Sequence, residues 1–170
     1  MNIFAVHDNP KVAASMLCDQ HVVKMIIENC QMMSAVMDMK YKDAHRGEND
    51  PHAQYGLPGY FKSVKKHPCT LWLLESINNC KWLVDHHRAT VLEYIKRYGK
   101  VHKLESTPMI YEAQLKYLDL PNVKRTKFAN ATPYKDMDDP IEAYRHFYNH
   151  DKSRFARWRY TDKPSWYMAS

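Results

Sequence analysis

Apolar residues recur at helical intervals through most of the chain. The opening Asn2-Ile3-Phe4-Ala5-Val6-His7 is short and apolar and reads as one extended segment or an anchor laid on a core. Asp8 or Asn9 can then cap a helix whose first turn suits Pro10. Val12, Met16, Val23, Ile26, Cys30, Met33 and Met37 repeat at a spacing that predicts one helix to about residue 38. A second long helix is predicted from His67-Pro68 to Tyr98, with Leu73, Ile77, Cys80, Val84, Val91, Ile95 and Tyr98 as its buried seam and Gly99 as a left-handed cap. Two shorter helices follow, one from Pro108 to about Leu118 and one opened by Asp139-Pro140 that carries Ile141, Tyr144, Phe147 and Tyr148. Between them, Lys124-Arg125-Thr126-Lys127 belongs to a basic, irregular stretch.

The stretch from Lys40 to Lys66 is polar and holds three of the four glycines together with Pro51 and Pro58. It reads as an irregular connection, either a loop that embraces a substrate or an insertion of no consequence. The expected architecture is mainly α: a compact single-domain bundle, residues 1–170, of two long and two shorter helices with irregular loops. A chain of 170 residues can bury a sizeable core without a cofactor or staple. So few glycines argue against a turn-rich sandwich or barrel.

Cys18, Cys30, Cys69 and Cys80 form no C-x-x-C pair, and no signal peptide or run of about 18 apolar residues is present. A cytoplasmic protein with free thiols and no membrane partner is expected. Cys69 and Cys80, eleven apart, would share one buried face as small hydrophobes. The formal charge of +6 favours a polyanionic partner, and its distribution says more than its total. Arg145, Lys152, Arg154, Arg157, Arg159 and Lys163 crowd the end of the chain, interleaved with Tyr148, Phe155, Trp158, Tyr160, Trp166 and Tyr167. Cations for phosphates and flat rings for bases suit a nucleic-acid surface. The alternative is a segment whose rings pack the core and whose arginines face water.

The most informative constellation is on the first helix. His21, Lys24, Glu28 and Gln31 follow a 3, 4, 3 spacing that puts them in one narrow stripe of a helix otherwise rich in Val, Ile and Met. A solvated face with an ordinary Lys24–Glu28 pair is one reading. A helix this apolar should be central, however, and a polar stripe on a central helix faces a cleft or is satisfied internally. His146 and His150 lack the third ligand a metal site needs, and His87 falls on the apolar seam as a core histidine would. No G-x-G-x-x-G, P-loop or G-x-S-x-G is present, which removes the usual nucleotide and serine-hydrolase readings.

Asp19-Gln20-His21, with Glu28 seven residues beyond the histidine, resembles the active-site helix of the phage pyrimidine-dimer DNA glycosylases of the endonuclease V type. Lys163-Pro164-Ser165-Trp166-Tyr167 is similar to that family's closing segment. Cys18 to Met25, His67 to Trp72, Arg97 to His102 and Glu142 to Tyr148 also resemble a divergent phage branch. The resemblance implies a compact helical domain, Glu28 as the catalytic carboxylate and the N-terminal α-amine as nucleophile. An α-amine titrates at about pH 8, so a useful fraction is neutral and can attack the sugar C1′. The chain also departs from the family. Residue 2 is Asn, whose side chain is normally too large for removal of Met1, and Ile27 and Gln31 replace family arginines. Several extra residues precede the Asp-Gln-His run, which predicts a displaced terminus and no covalent trapping.

Three functions follow as expectations. The first is a DNA glycosylase, with or without lyase activity, acting on a damaged or modified pyrimidine extruded from double-stranded DNA. The second is a phage transferase joining a small-molecule amine or amino acid to an activated 5-hydroxymethyl pyrimidine, and the third a non-catalytic DNA-binding protein. Glu28, His21, Lys24 and the Met1 amine are the catalytic candidates. Gln31, Lys124, Arg125, Lys127, Arg154, Arg157, Lys163, Trp166 and Tyr167 are the candidates for DNA contact. No metal or cofactor is called for.

Overall fold

A computed structural model describes residues 1–41, 56, 57, 59 and 62–169. Most of the predicted Lys40 to Lys66 connection lies outside the described residues. Within them the chain is mainly helical, in the order α1 (Pro10–Ser15), α2 (Asp19–Lys40), α3 (Pro68–Leu74), α4 (Ile77–Tyr98), α5 (Thr107–Gln114) and α6 (Pro140–His150). Tight 3-10 turns occupy Lys62–Lys66 and Leu115–Tyr117. α4 is the hub and packs on α1, α2, α3 and α5.

Each long predicted helix is broken once, for reasons that periodicity does not register. The first breaks at Leu17 and Cys18, where Cys18 is extended at ψ 160°. The carbonyls freed at the end of α1 find side-chain donors instead of helical ones. Ser15 O and Leu17 O accept the two Arg97 amino groups at 2.8 and 2.7 Å, and Met16 O accepts the Trp158 indole N–H at 3.1 Å. The break rephases α2 against α1, so Val23, expected in the seam, is 39% exposed. The second break falls at Ser76, whose Oγ caps α4 by accepting the Asn78 N–H at 3.1 Å while the Ile77 N–H turns to Pro121 O at 2.9 Å. Gly99 ends α4 at φ 62°, the left-handed cap its position predicts.

One core cluster gathers the opening segment, α2, α3, α4 and the end of the chain. Met25, Met32, Met33 and Met37 of α2 are fully buried, each side chain contributing about 1.5–3 kcal/mol by leaving water. Ile3, Ala5 and Val6 are equally inaccessible. Tyr144 and Tyr148, one turn apart on α6, carry their hydroxyls into the same interior. All four cysteines are buried free thiols, Cys69 and Cys80 on opposite sides of the second break.

Candidate active site

α2 and the opening segment build the site together. Residues 1–4 run antiparallel to α2, so that Asn2 reaches Glu28 while Phe4 lies over His21, two turns nearer the helix start. Glu28 is only 7% exposed. Its Oε2 accepts the Asn2 backbone N–H at 2.9 Å, and its Oε1 lies 3.8 Å from the Met1 α-nitrogen and 3.2 Å from Lys24 Nζ. The displaced terminus expected from the extra residues is therefore not what forms. The first residue returns to the carboxylate instead.

Asn2 holds this arrangement with its side chain. Oδ1 accepts the N–H groups of Ile3 at 2.8 Å and Phe4 at 3.0 Å, and Nδ2 donates to Ala131 O at 3.3 Å. Phe4 follows at φ 42°, a left-handed conformation that costs a bulky residue about 1–3 kcal/mol. The strained turn brings the Phe4 ring onto the His21 imidazole, 4.1 Å between centroids and 25° from parallel. His21 is buried, its Nδ1 is 2.5 Å from the Tyr148 hydroxyl, and Phe155 meets its ring edge-on. Burial, with lesser help from Lys152 and Lys24, pushes its pKa down to about 3. His21 is thus a neutral ring at working pH.

Of the predicted stripe, His21 and Glu28 are buried, Gln31 is half-buried and Lys24 is exposed. A cavity of about 440 Å³ opens beside it, lined by Met1, Asn2, Phe4, His21, Lys24, Glu28, Phe147, Lys152 and Phe155 among others. Lys152, Phe147, Phe155 and Phe4 complete the wall, yet the sequence shows them only as members of a basic and aromatic run or of an apolar segment. His67, the cap of α3, is a further neighbour that sequence reading assigned only to a helix start. Burial first, then the positive Met1 α-nitrogen, lowers its pKa, and Glu28 opposes them. A wider cleft of about 670 Å³, between α4 and the Leu115–Tyr117 turn, brings no comparable amine and carboxylate to a buried position.

The predicted DNA contacts fall into two groups. Lys124, Lys127, Arg154, Arg157 and Lys163 are exposed. Arg125 is engaged, its guanidinium 2.7 Å from Asp8 Oδ1 and 4.1 Å from the Phe128 ring centre. Tyr167 is 6% exposed in the core, and Trp166 is half-buried with its N–H toward Met16 Sδ at 3.3 Å. Neither ring is presented as a free wedge. His87 is a hydrogen-bonded core histidine, its Nε2 2.7 Å from Thr107 Oγ1. The His146 and His150 rings lie 3.9 Å apart and tilted by 35°, and no three His, Cys, Asp or Glu side chains among the described residues could hold a metal. No helix of the described chain is long and apolar enough to cross a membrane.

The helical scaffold thus brings a primary amine and a buried carboxylate together at one cavity. The family model for pyrimidine dimer DNA glycosylase matches residues 1–106, well over half of the chain, and the protein belongs to that family. Neither a curated protein nor a solved structure matches. The matched span contains Met1, His21, Lys24, Glu28 and Gln31, whereas the basic and aromatic candidates from Lys124 onward lie beyond it.

Proposed function

We infer that the protein is a DNA glycosylase that removes a damaged or modified pyrimidine drawn out of duplex DNA, with Glu28 and the Met1 α-amine as its reacting groups. The observation that carries this reading is the 3.8 Å approach of the Met1 α-nitrogen to a carboxylate that is itself nearly inaccessible. Family membership supports the substrate class. Extrusion is required because stacking shields the glycosidic bond.

In the chemistry proposed, the neutral amine gives its electron pair to C1′, and the bond from C1′ to the base breaks toward the base. The base leaves with the electron pair and takes up a proton, and the attached nitrogen loses one. The nitrogen electron pair then forms the C=N bond of a Schiff base as C1′–O4′ breaks and the ring oxygen takes a proton. Glu28 stabilises positive charge developing on the sugar and passes protons between amine and sugar. Removal of Met1 would not dismantle the pair, since the Asn2 nitrogen is 2.9 Å from Glu28 Oε2. Neutral His21 packs the wall beneath the sugar, and the Phe155 ring lines the cavity that takes the extruded base.

Mass spectrometry of defined duplexes carrying a pyrimidine dimer, a modified pyrimidine or neither tests the reading. Glycosidic cleavage is expected, read as base loss from the modified pyrimidine and as gain of one water or strand scission at the dimer, whose cut base stays tethered to its neighbour. It should fall by about a hundredfold or more in Glu28→Gln, because the amide keeps the shape but neither carries charge nor accepts a proton. Borohydride is expected to trap the protein on DNA through the Met1 α-amine. Full activity in Glu28→Gln would sink the site, and an added mass on the base would replace base removal with group transfer.

A further inference from the structure

We propose that Lys152 and Lys24 clamp the backbone phosphate of the extruded nucleotide, which rests on the glycosylase reading and assigns the cavity mouth its ligand. Lys152 follows α6 by two residues and comes from chain beyond the family match. It lines the same cavity as Glu28 and Met1. Its ammonium lies 4.2 Å from the centre of the Phe147 ring and 5.8 Å from that of Phe155. Two rings beside one ammonium favour its place at the cavity mouth, in contrast to a freely swinging surface lysine.

Charge balance identifies the ligand. Among the described residues three cationic groups, the Met1 α-nitrogen, Lys24 and Lys152, face the cavity, and Glu28 is the carboxylate lining it. The Glu28 oxygens already serve Met1, Asn2 and Lys24. Asp151, next to Lys152 in sequence, directs Oδ2 to the Tyr134 hydroxyl at 2.6 Å. No carboxylate lies within ion-pair distance of Lys152 among the described residues. Burial lowers the Lys152 pKa, and Lys24 and Arg154 lower it further against the pull of Asp151. Cations held together in this way complement an anion that arrives from outside. A nucleotide turned out of the stack brings its own phosphodiester with it, so a clamp here would favour extruded over stacked geometry.

The test uses one duplex with a stable tetrahydrofuran abasic analogue and the same duplex unmodified. Neither has a cleavable lesion, so binding is read independently of base release. The native protein is expected to prefer the abasic duplex. Lys152→Gln should lose about tenfold on it, as for one charge-assisted hydrogen bond, and less than about threefold on the unmodified duplex. Lys152→Arg, which keeps the charge, should restore the preference. Equal losses on both duplexes would make Lys152 a general surface cation and overturn the clamp, as would a native protein with no preference. Base release from a lesion duplex judges the glycosylase reading separately, and its absence alongside an intact abasic preference would leave the clamp standing.

Discussion

Asp19 and Glu28 are carboxylates nine residues apart on one helix, each 7% exposed, and their surroundings give them opposite uses. Asp19 is closed by the fold. Its Oδ1 takes Arg97 Nη1 at 3.2 Å and its Oδ2 takes the Arg159 N–H at 2.8 Å, while Arg97 spends its remaining donors on Ser15 O, Leu17 O and Glu93. Glu28 has the Asn2 N–H in common with that pattern, but its other neighbours are a primary amine and an exposed lysine at a cavity. Burial alone therefore does not mark a reacting group. What separates the two is whether every partner belongs to the folded chain or some remain open to a ligand.

The largest test exchanges each carboxylate for its amide. Asp19→Asn leaves Arg97, whose side chain is fully buried, with Glu93 as its remaining counter-charge among the described residues, so the variant should lose part of what breaking a buried pair costs, about 3–5 kcal/mol. Its melting temperature should fall steeply. Glu28→Gln should lose less, because the amide oxygen can still accept the Asn2 N–H and the exposed Lys24 contributes only about 0.3–0.5 kcal/mol to their i,i+4 pair. That leaves the Met1 α-nitrogen, among the described residues, as the one nearly buried partner that loses a counter-charge. Thermal unfolding of both variants decides the matter: equal losses would erase the distinction.

Much of the framework was legible because helical periodicity, proline at helix starts and Gly99 are local signals. The stripe of His21, Lys24, Glu28 and Gln31 was legible for the same reason. The helix breaks were not, since the first depends on Arg97 and Trp158 reaching carbonyls more than seventy residues away in sequence and the second on the Ile77 N–H turning to Pro121 O. The return of Met1 to Glu28 was hidden for a related reason: it depends on Asn2 bonding Ala131 and on the turn at Phe4, which no spacing encodes. Lys152 and Phe155 were visible as types but could not be assigned to a cavity before α6 was placed.

A smaller effect sharpens the contrast through histidines. His86 and His87 lie in the closed interior, and burial pushes both down to about 3, as it does His21 at the cavity. From an ordinary value of about 6.5 down to about 3, the unfolded chain binds protons that the folded chain refuses. Stability is accordingly level above about pH 6.5 and lost as pH falls through that window, by up to about 1.4 kcal/mol per pH unit for each group. His86→Phe keeps a ring stacked on Trp82, where His86 lies 5.0 Å away at 9°. Denaturant titrations between pH 6 and 4 should show a slope shallower by about one proton. An unchanged slope would mean that His86 already protonates in the native state.

The smallest effect applies the same distinction to two surface cations two residues apart. Arg125 has a complete set of partners: Asp8 at 2.7 Å, the Thr126 carbonyl at 3.0 Å and the Phe128 ring beneath it. Lys127 is exposed, with no carboxylate partner among the described residues. A phosphate approaching Arg125 must compete with Asp8, so little counterion is released there. One approaching Lys127 meets an uncommitted charge. Lys127→Gln should weaken duplex binding and reduce the slope of log affinity against log salt by about 1, whereas Arg125→Gln should leave that slope unchanged and alter affinity by less than about twofold. Titration at two ionic strengths separates them. If Arg125→Gln costs as much slope as Lys127→Gln, the Asp8 pair yields to DNA, and a completed set of partners at the surface does not bind a side chain to the fold as it does at Asp19.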